Sequence, residues 1–266
     1  MPVITIEADD DERLGDYRNI PDPELVGRRG IFVAEGRLVV RRLLEGSRMV
    51  ARSVMVTEAA LESIADALAA RPELPVYRVS QTVMNGVTGF DIHRGCLAIG
   101  ERPADAPWTA VAARARTMLV LERIGNADNV GGIFRNAIAF DVGAVLIGPA
   151  CADPLYRKAI RTSMGAALLM PFANAEPWPD ALRQLQSLGF ALVALTPSSD
   201  APQLRDVVAQ LAGGPVAIVL GHEGEGLTAD AFAACEHRAR IPITGFDSLN
   251  VASAAAIALY ELKRAG

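Results

Sequence analysis

Little in this 266-residue chain suggests a membrane, a metal or a disulfide framework. Cys96, Cys151 and Cys235 are odd in number, far apart and without metal-type pairing, so they read as reduced thiols of a cytoplasmic protein. No uncharged apolar run approaches the roughly 20 residues of a membrane span. The first 26 residues are acidic and hold no apolar core segment, so they do not read as a signal peptide. GxxxxGK[ST] is missing, which excludes a P-loop, and GxSxG is missing, which argues against an α/β-hydrolase. His93, His222 and His237 show no metal-ligand spacing, so no metal is expected. His222 could serve as a general base, although a plain loop histidine is the simpler reading. Lysine is scarce: only Lys158 and Lys263 stand among 26 basic residues.

Half of the chain is apolar, enough for the core of one large or two ordinary domains. The net charge of −5 argues weakly against a nucleic-acid partner, but its distribution is uneven. Residues 1–26 carry −6, residues 27–103 carry +3 and residues 104–266 carry −2. Arginine suits phosphate and base contacts through its planar fork, although compositional bias explains its abundance equally well.

Residues 1–26 lack a period and read as an acidic extension. Residues 27–103 alternate short elements, with strands expected at 30–33, 53–57, 76–80 and 95–100 and helices at 35–45 and 58–70, a small α/β sandwich. Within it Arg28, Arg29, Arg37, Arg41 and Arg42 are candidate phosphate contacts, set against the plainer alternative of a solvated helix face. Asn85 to Gly89 reads as a mobile loop. Residues 104–116 are a linker. From 117 to 266 buried strands alternate with helices, the last strand being expected at 239–243, which predicts a parallel sheet covered on both faces. Ligands of such sheets bind beyond the carboxyl ends of the strands.

Three polar stretches fall there. Asn126 to Ala137 follows a strand and enters a helix, Leu220 to Leu227 ends another strand, and Ile241 to Val251 leads into the last helix. Ser248 and Asn250 are also ordinary helix-capping residues. A dinucleotide site is disfavoured, because Gly125-Asn126-Ala127 stands where GxGxxG would and no acid ends the second strand. What remains is a pocket rich in Asn, Ser, Arg and Glu with exposed backbone, suited to an adenine-bearing ligand.

Together the stretches resemble the SpoU/TrmH family of RNA ribose methyltransferases, within the SPOUT superfamily. Asn129-Val-Gly131 through Arg135-Asn-Ala137 matches the family form N-x-G-x-x-x-R-x-A. Gly221-His-Glu223-Gly-Glu-Gly226-Leu227 matches G-N-E-x-x-G-L, and Ile241-Pro242 through Ser248-Leu249-Asn250-Val251 matches I-P-M-x-G-x-x-x-S-L-N-V. The resemblance covers 117–266. Phe32 to Gly36, leading a helix, is similar to the ribosomal-protein-like RNA substrate-binding domain of many members. The chain departs from the pattern at His222 for Asn, Asn136 for Thr and Ile243 for Met.

The resemblance implies an α/β fold with a deep trefoil knot in the C-terminal domain, a homodimer, and RNA, ribosomal RNA first and transfer RNA second, as substrate. It implies S-adenosylmethionine as cofactor, held by Thr196, Leu220, Gly221, Ile241, Ile243, Ser248 and Leu249. It assigns the reaction to Asn129, Arg135, Glu223, Ser248 and Asn250, with Arg135 as base or as electrostatic stabiliser and also as an RNA contact. A non-catalytic RNA-binding factor with the same fold is the reading from another class.

Overall fold

The computed structural model describes residues 3–19, 21–211, 213–245 and 247–265. Of the sequence features above, Met1, Pro2 and Ile20 in the acidic extension and Phe246 in the last polar stretch lie outside the described residues. The strands are β1 Val3–Ile6, β2 Ile31–Glu35, β3 Ala51–Val56, β4 Val76–Val79, β5 Cys96–Glu101, β6 Thr117–Leu121, β7 Ala144–Ile147, β8 Phe172–Asn174, β9 Ala191–Leu195, β10 Val216–Leu220 and β11 His237–Ala239. Four helices matter for function: α1 Arg37–Glu45, α2 Ala127–Ala139, α3 Arg157–Thr162 and α4 Val251–Ala265. The chain forms two units, Met1–Ala104 with Pro154–Leu169, and Asp105–Asp153 with Met170–Gly266.

The first unit holds a five-stranded sheet in the order β1-β4-β3-β5-β2. β1, β4 and β3 are parallel, while β5 runs antiparallel to β3 and β2. Its architecture departs from the expectation in four places. The acidic extension is built into the unit: β1 adds an edge strand, and Leu14, Tyr17 and Leu25 are buried in its core. Their apolar side chains outweigh the charge around them, and the Tyr17 hydroxyl is satisfied by the Ser53 hydroxyl at 2.7 Å. Asn85 to Thr88 is not a loop but the end of a helix, Gln81–Thr88, capped by Ser80 and closed by Gly89 at φ 77°. The segment from Pro154 to Leu169 belongs here too: α3 packs on β2, and the Arg42 guanidinium donates to the Met164 carbonyl. The expected helix over 58–70 is two short helices that meet at Ile64.

The second unit holds six parallel strands in the order β11-β9-β10-β6-β7-β8. Met118 to Leu121 and Val216 to Leu220 are buried along their whole length, as the uninterrupted apolar runs require of strands covered on both faces. From β6 the chain steps outward through β7 and β8, then crosses back to β9 and β10. The direction of winding therefore reverses between β6 and β10, which is where a crevice opens at the carboxyl ends of such a sheet. The last strand ends at Ala239 rather than at Ile243. Pro242 has no N–H to give to a ladder, and Ile241 and Ile243 face a cavity instead. α4 packs against α2, and Gly132 allows the approach, since a Cβ there would lie 2.9 Å from the Ala252 Cβ.

Candidate active site

The three polar stretches meet at the reversal point. Asn126 caps α2 through its side-chain oxygen, which accepts from the Asp128 N–H at 2.9 Å. Almost one turn on, Asn129 is drawn inward and is only 7% exposed. Its amide nitrogen donates to the Glu223 carboxylate, and its amide oxygen accepts from Asn250 Nδ2 at 2.8 Å. Asn250 Nδ2 also reaches Glu223 Oε1 at 3.1 Å. Asn250 thus acts twice, because its Oδ1 caps α4 by accepting from Ala252 and Ser253 N–H. One side chain therefore both caps α4 and joins the hydrogen-bonded cluster.

The loop after β10 is held from several directions. His222 and Gly226 exchange backbone hydrogen bonds at 3.1 and 2.9 Å. His222 Nδ1 accepts from the N–H groups of Gly224 and Glu225 at 3.1 and 3.2 Å. A turn-stabilising acceptor is what an asparagine oxygen would also provide, so the departure to His keeps the local function. Gly221 packs so tightly that a Cβ would lie 2.4 Å from backbone atoms of Gly226 and Leu227.

Beside this network lies a cavity of about 520 Å³. Thr196, Leu220, Gly221, Ile241, Ile243, Ser248 and Leu249, the seven residues that the family resemblance implies for the cofactor, all line it, together with Glu223. The volume falls in the usual range for small-molecule sites, and the mixture of apolar walls and loop backbone fits an adenosine with a short polar tail. Arg135 stands apart from the hydrogen-bonded cluster. It is exposed on α2, six residues after Asn129 and roughly 9 Å further along the helix axis. Asn136, the neighbouring departure, donates to the Ala252 carbonyl at 2.8 Å and ties α2 to α4.

Two residues missed by the sequence reading support the same loop. Glu122, fully buried at the end of β6, accepts from Trp178 Nε1, the Thr228 N–H and the Thr228 hydroxyl at 2.7–2.8 Å. Arg123, held at φ 60°, pairs with Glu225. Two adjacent charged residues closing a hydrophobic strand are the signal that could have found them. Among the arginines proposed for RNA, Arg41 is held by Glu45 and Asp66 at 2.6–2.7 Å, Arg42 by Met164, and Arg29 by Glu24 at 2.9 Å, while Arg28 is exposed. The Asp66 carboxylate keeps the Arg41 guanidinium more firmly protonated than usual, and is itself held down to about 2. No group of three or more His, Cys, Asp and Glu among the described residues is placed to hold a metal ion, and no described helix is long and apolar enough to cross a membrane.

The family model of the SpoU rRNA methylases matches residues 116–260, the region that carries this site. The chain belongs to the SpoU rRNA methylase family. Over 262 residues, 97% of this chain and 90% of the relative, it is 44% identical to a tRNA/rRNA methyltransferase of Mycobacterium bovis that is described as uncharacterized. It is 24% identical to the 23S rRNA (guanosine(2553)-2'-O)-methyltransferase RlmP of Bacillus subtilis, over 97% of this chain and 98% of the relative. The crystal structure of an AdoMet-bound rRNA methyltransferase from Sinorhizobium meliloti superposes with a TM-score of 0.84 at 25% identity, covering 98% of both chains.

Proposed function

We propose that the protein transfers a methyl group from S-adenosylmethionine to the ribose 2′-hydroxyl of RNA, with ribosomal RNA as the substrate class. The observation that carries the reading is the Asn129–Glu223–Asn250 network at the rim of the cavity, on the helix that also presents Arg135. Family membership and the activity named for the Bacillus relative support it. S-adenosylmethionine, when bound, supplies an electrophilic methyl on a sulfonium. Thr196, Leu220, Gly221, Ile241, Ile243, Ser248 and Leu249 hold it and exclude water from its adenosine. Glu223 fixes both asparagines, so that Asn129 and Asn250 orient the ribose. Positioning of this kind contributes on the order of 7–11 kcal/mol to such a reaction. Arg135 grips the adjacent phosphate and stabilises the negative charge that develops on the 2′-oxygen. A guanidinium does not give up its proton in proteins, so Arg135 acts as an electrostatic partner rather than as the base; the 2′-hydroxyl proton would leave to solvent water as the O–CH3 bond forms, the S–CH3 bond breaks and S-adenosylhomocysteine departs.

The same reading includes a homodimer and a knot. α2 and α4 expose Ile138, Ile257 and Tyr260, the last 55% exposed, beside Arg135, an apolar face that a second copy would cover. Residues of 195–197 and 220–227 together with Ile241, Ile243, Ser248 and Leu249 line one cavity, as a threaded C-terminal segment would require. Residues 27–103 act as the RNA-binding part.

The test is methyl transfer from labelled S-adenosylmethionine to purified rRNA and tRNA pools, with Arg135→Ala alongside. Label in the rRNA pool, at linkages resistant to alkali and lost in the variant, is expected. An Arg135→Ala protein that methylates at the wild-type rate would overturn the scheme, and label in tRNA alone would move the substrate class.

A further inference from the structure

The first unit carries a basic and aromatic face that the sequence reading did not assemble, because its parts come from three separate segments. The loop between the helix Gln81–Thr88 and β5 exposes Phe90, His93 and Arg94. At the end of β2, Glu35, Gly36 and Arg37 lie next to this loop: Gly36 N–H donates to the Cys96 carbonyl, and the Arg94 side chain runs within van der Waals reach of Gly36. The third part is α3, which packs on β2 and brings Arg157 and Arg161. The Arg157 guanidinium lies over the Phe90 ring, 5.5 Å from its centroid. Arg161 stands 3.8 Å from Glu35 and is otherwise exposed.

From this arrangement we propose that Phe90, Arg94, Arg37 and Arg161 form a docking surface for an unpaired segment of the substrate RNA. The proposal rests on the RNA methyltransferase reading and names the surface that reading needs.

Three observations carry it. First, the charge is local. In a chain of net charge −5, four arginines gather within three short segments, and among the described residues of these segments and their hydrogen-bond partners Glu35, Asp22 and Asp91 oppose them. That is the complement of a phosphate backbone and not of an acidic protein surface at large. Second, the aromatic ring is prepared for stacking. One face of Phe90 is covered by Arg157, which holds the ring in place, while the residue stays 37% exposed. An exposed ring backed by a guanidinium is a platform on which a single-stranded base can stack, whereas a duplex hides its base faces. Third, Arg157 is only partly hydrated. Its Nε is buried without a hydrogen-bond partner, and burial lowers its pKa from the usual arginine value. Arg157 is thus a fixed, desolvated cation behind the ring, and a phosphate bound at the exposed Arg94 and Arg161 would add negative charge near it. Arg29, Arg41 and Arg42, by contrast, already have intramolecular partners.

The test measures full-length protein against three RNA probes: purified rRNA by filter binding, and a fluorescein-labelled oligouridylate and an RNA duplex of equal length by anisotropy. Phe90→Ala is expected to weaken binding of rRNA and oligouridylate by roughly 5- to 100-fold, the worth of one stacked base, while Phe90→Tyr restores it. Arg94→Ala with Arg161→Ala should flatten the salt dependence by about 0.7 for each phosphate that is no longer neutralised. The duplex should bind weakly and change little. All variants should keep the wild-type melting temperature and its rise with S-adenosylhomocysteine, and in the methyl-transfer assay they should raise KM for RNA with kcat unchanged. Variants that bind and methylate rRNA like the wild type would overturn the proposal while leaving the methyltransferase reading intact. Wild-type protein that binds none of the three probes would overturn it as well. Wild-type protein that binds RNA through this face but transfers no methyl group would instead overturn the reading on which it rests.

Discussion

The sharpest perturbation available is a single methyl group on Gly221. An added Cβ would lie 2.4 Å from the Gly226 carbonyl carbon and the Leu227 nitrogen and 2.7 Å from the Gly226 oxygen. Ordinary contacts between such atoms lie near 3.5–4.0 Å, so the two arms of the loop must separate by roughly 1 Å. The obstacles are backbone, not flexible side-chain ends, and the same loop is clamped by the His222–Gly226 hydrogen-bond pair and by the ion pair of Arg123 with Glu225. Overpacking of this kind costs about 1–3 kcal/mol. At about 2–4 °C per kcal/mol for a chain of this size, Gly221→Ala should melt roughly 2–12 °C below the wild type.

A functional consequence of similar size should accompany the stability loss, because Gly221 and Leu227 both line the cavity. With S-adenosylhomocysteine at about 100 times its Kd, the wild type should gain about 2.7 kcal/mol. A loop displaced by roughly 1 Å that weakens the ligand 100-fold reduces that gain to about 0.4 kcal/mol. Thermal unfolding with and without ligand reads both effects in one experiment. A Gly221→Ala protein that melts lower but keeps the full ligand-induced rise would refute the claim that this close packing shapes the cofactor wall.

Other consequences are simpler to state. Glu223→Ala removes the acceptor shared by Asn129 and Asn250 and strands a nearly buried amide, so it should cost about 1–3 kcal/mol in unfolding experiments, whereas Glu223→Gln should lose less. His222→Asn should retain cofactor binding by calorimetry, since either side chain can accept from the turn, and His222→Leu should weaken it; equal affinities would remove the turn from the explanation. Burial pushes Cys96 and Cys235 up to about 12 and Cys151 up to about 11, so all three remain protonated thiols in the folded protein at pH 8. Iodoacetamide should therefore label them slowly until the protein is unfolded, and fast labelling followed by mass spectrometry would contradict that.

The parallel sheet was legible because its evidence is local. Met118 to Leu121 and Val216 to Leu220 are unbroken apolar runs, and only a strand covered on both faces buries such a run. The cavity residues were legible because they sit at strand ends in motifs that the family shares. The acidic extension was not, since Leu14, Tyr17 and Leu25 are separated by charged residues and their burial depends on a sheet formed later in the chain. The segment from Pro154 to Leu169 lies inside the second unit's sequence but in the first unit's structure. No composition shift marks it, because its boundary is set by packing on β2 rather than by a linker. Glu122 hid for a related reason: a carboxylate at the end of a buried strand looks like an ordinary turn residue until Trp178 and Thr228 are brought to it by the fold.

The same distinction bears on where the proposed RNA contacts lie. Arginines close in sequence suggested a patch at Arg28, Arg29, Arg37, Arg41 and Arg42, but Arg41 and Arg42 on one helix are taken up by groups that the fold places beside them. Arg41 meets Glu45 one turn away and Asp66 from another helix, and Arg42 meets a carbonyl of the 154–169 segment. A guanidinium in a bidentate pair must break that pair before it binds a phosphate, and its net gain shrinks accordingly. Arg37 and Arg94 come from segments far apart in sequence yet both stand exposed, with Arg94 running against Gly36 and Arg157 lying over the Phe90 ring. For an acidic chain that binds a polyanion, the measure that matters is therefore how many cations the fold leaves without an internal acid, and their positions follow from tertiary pairing rather than from runs in the sequence.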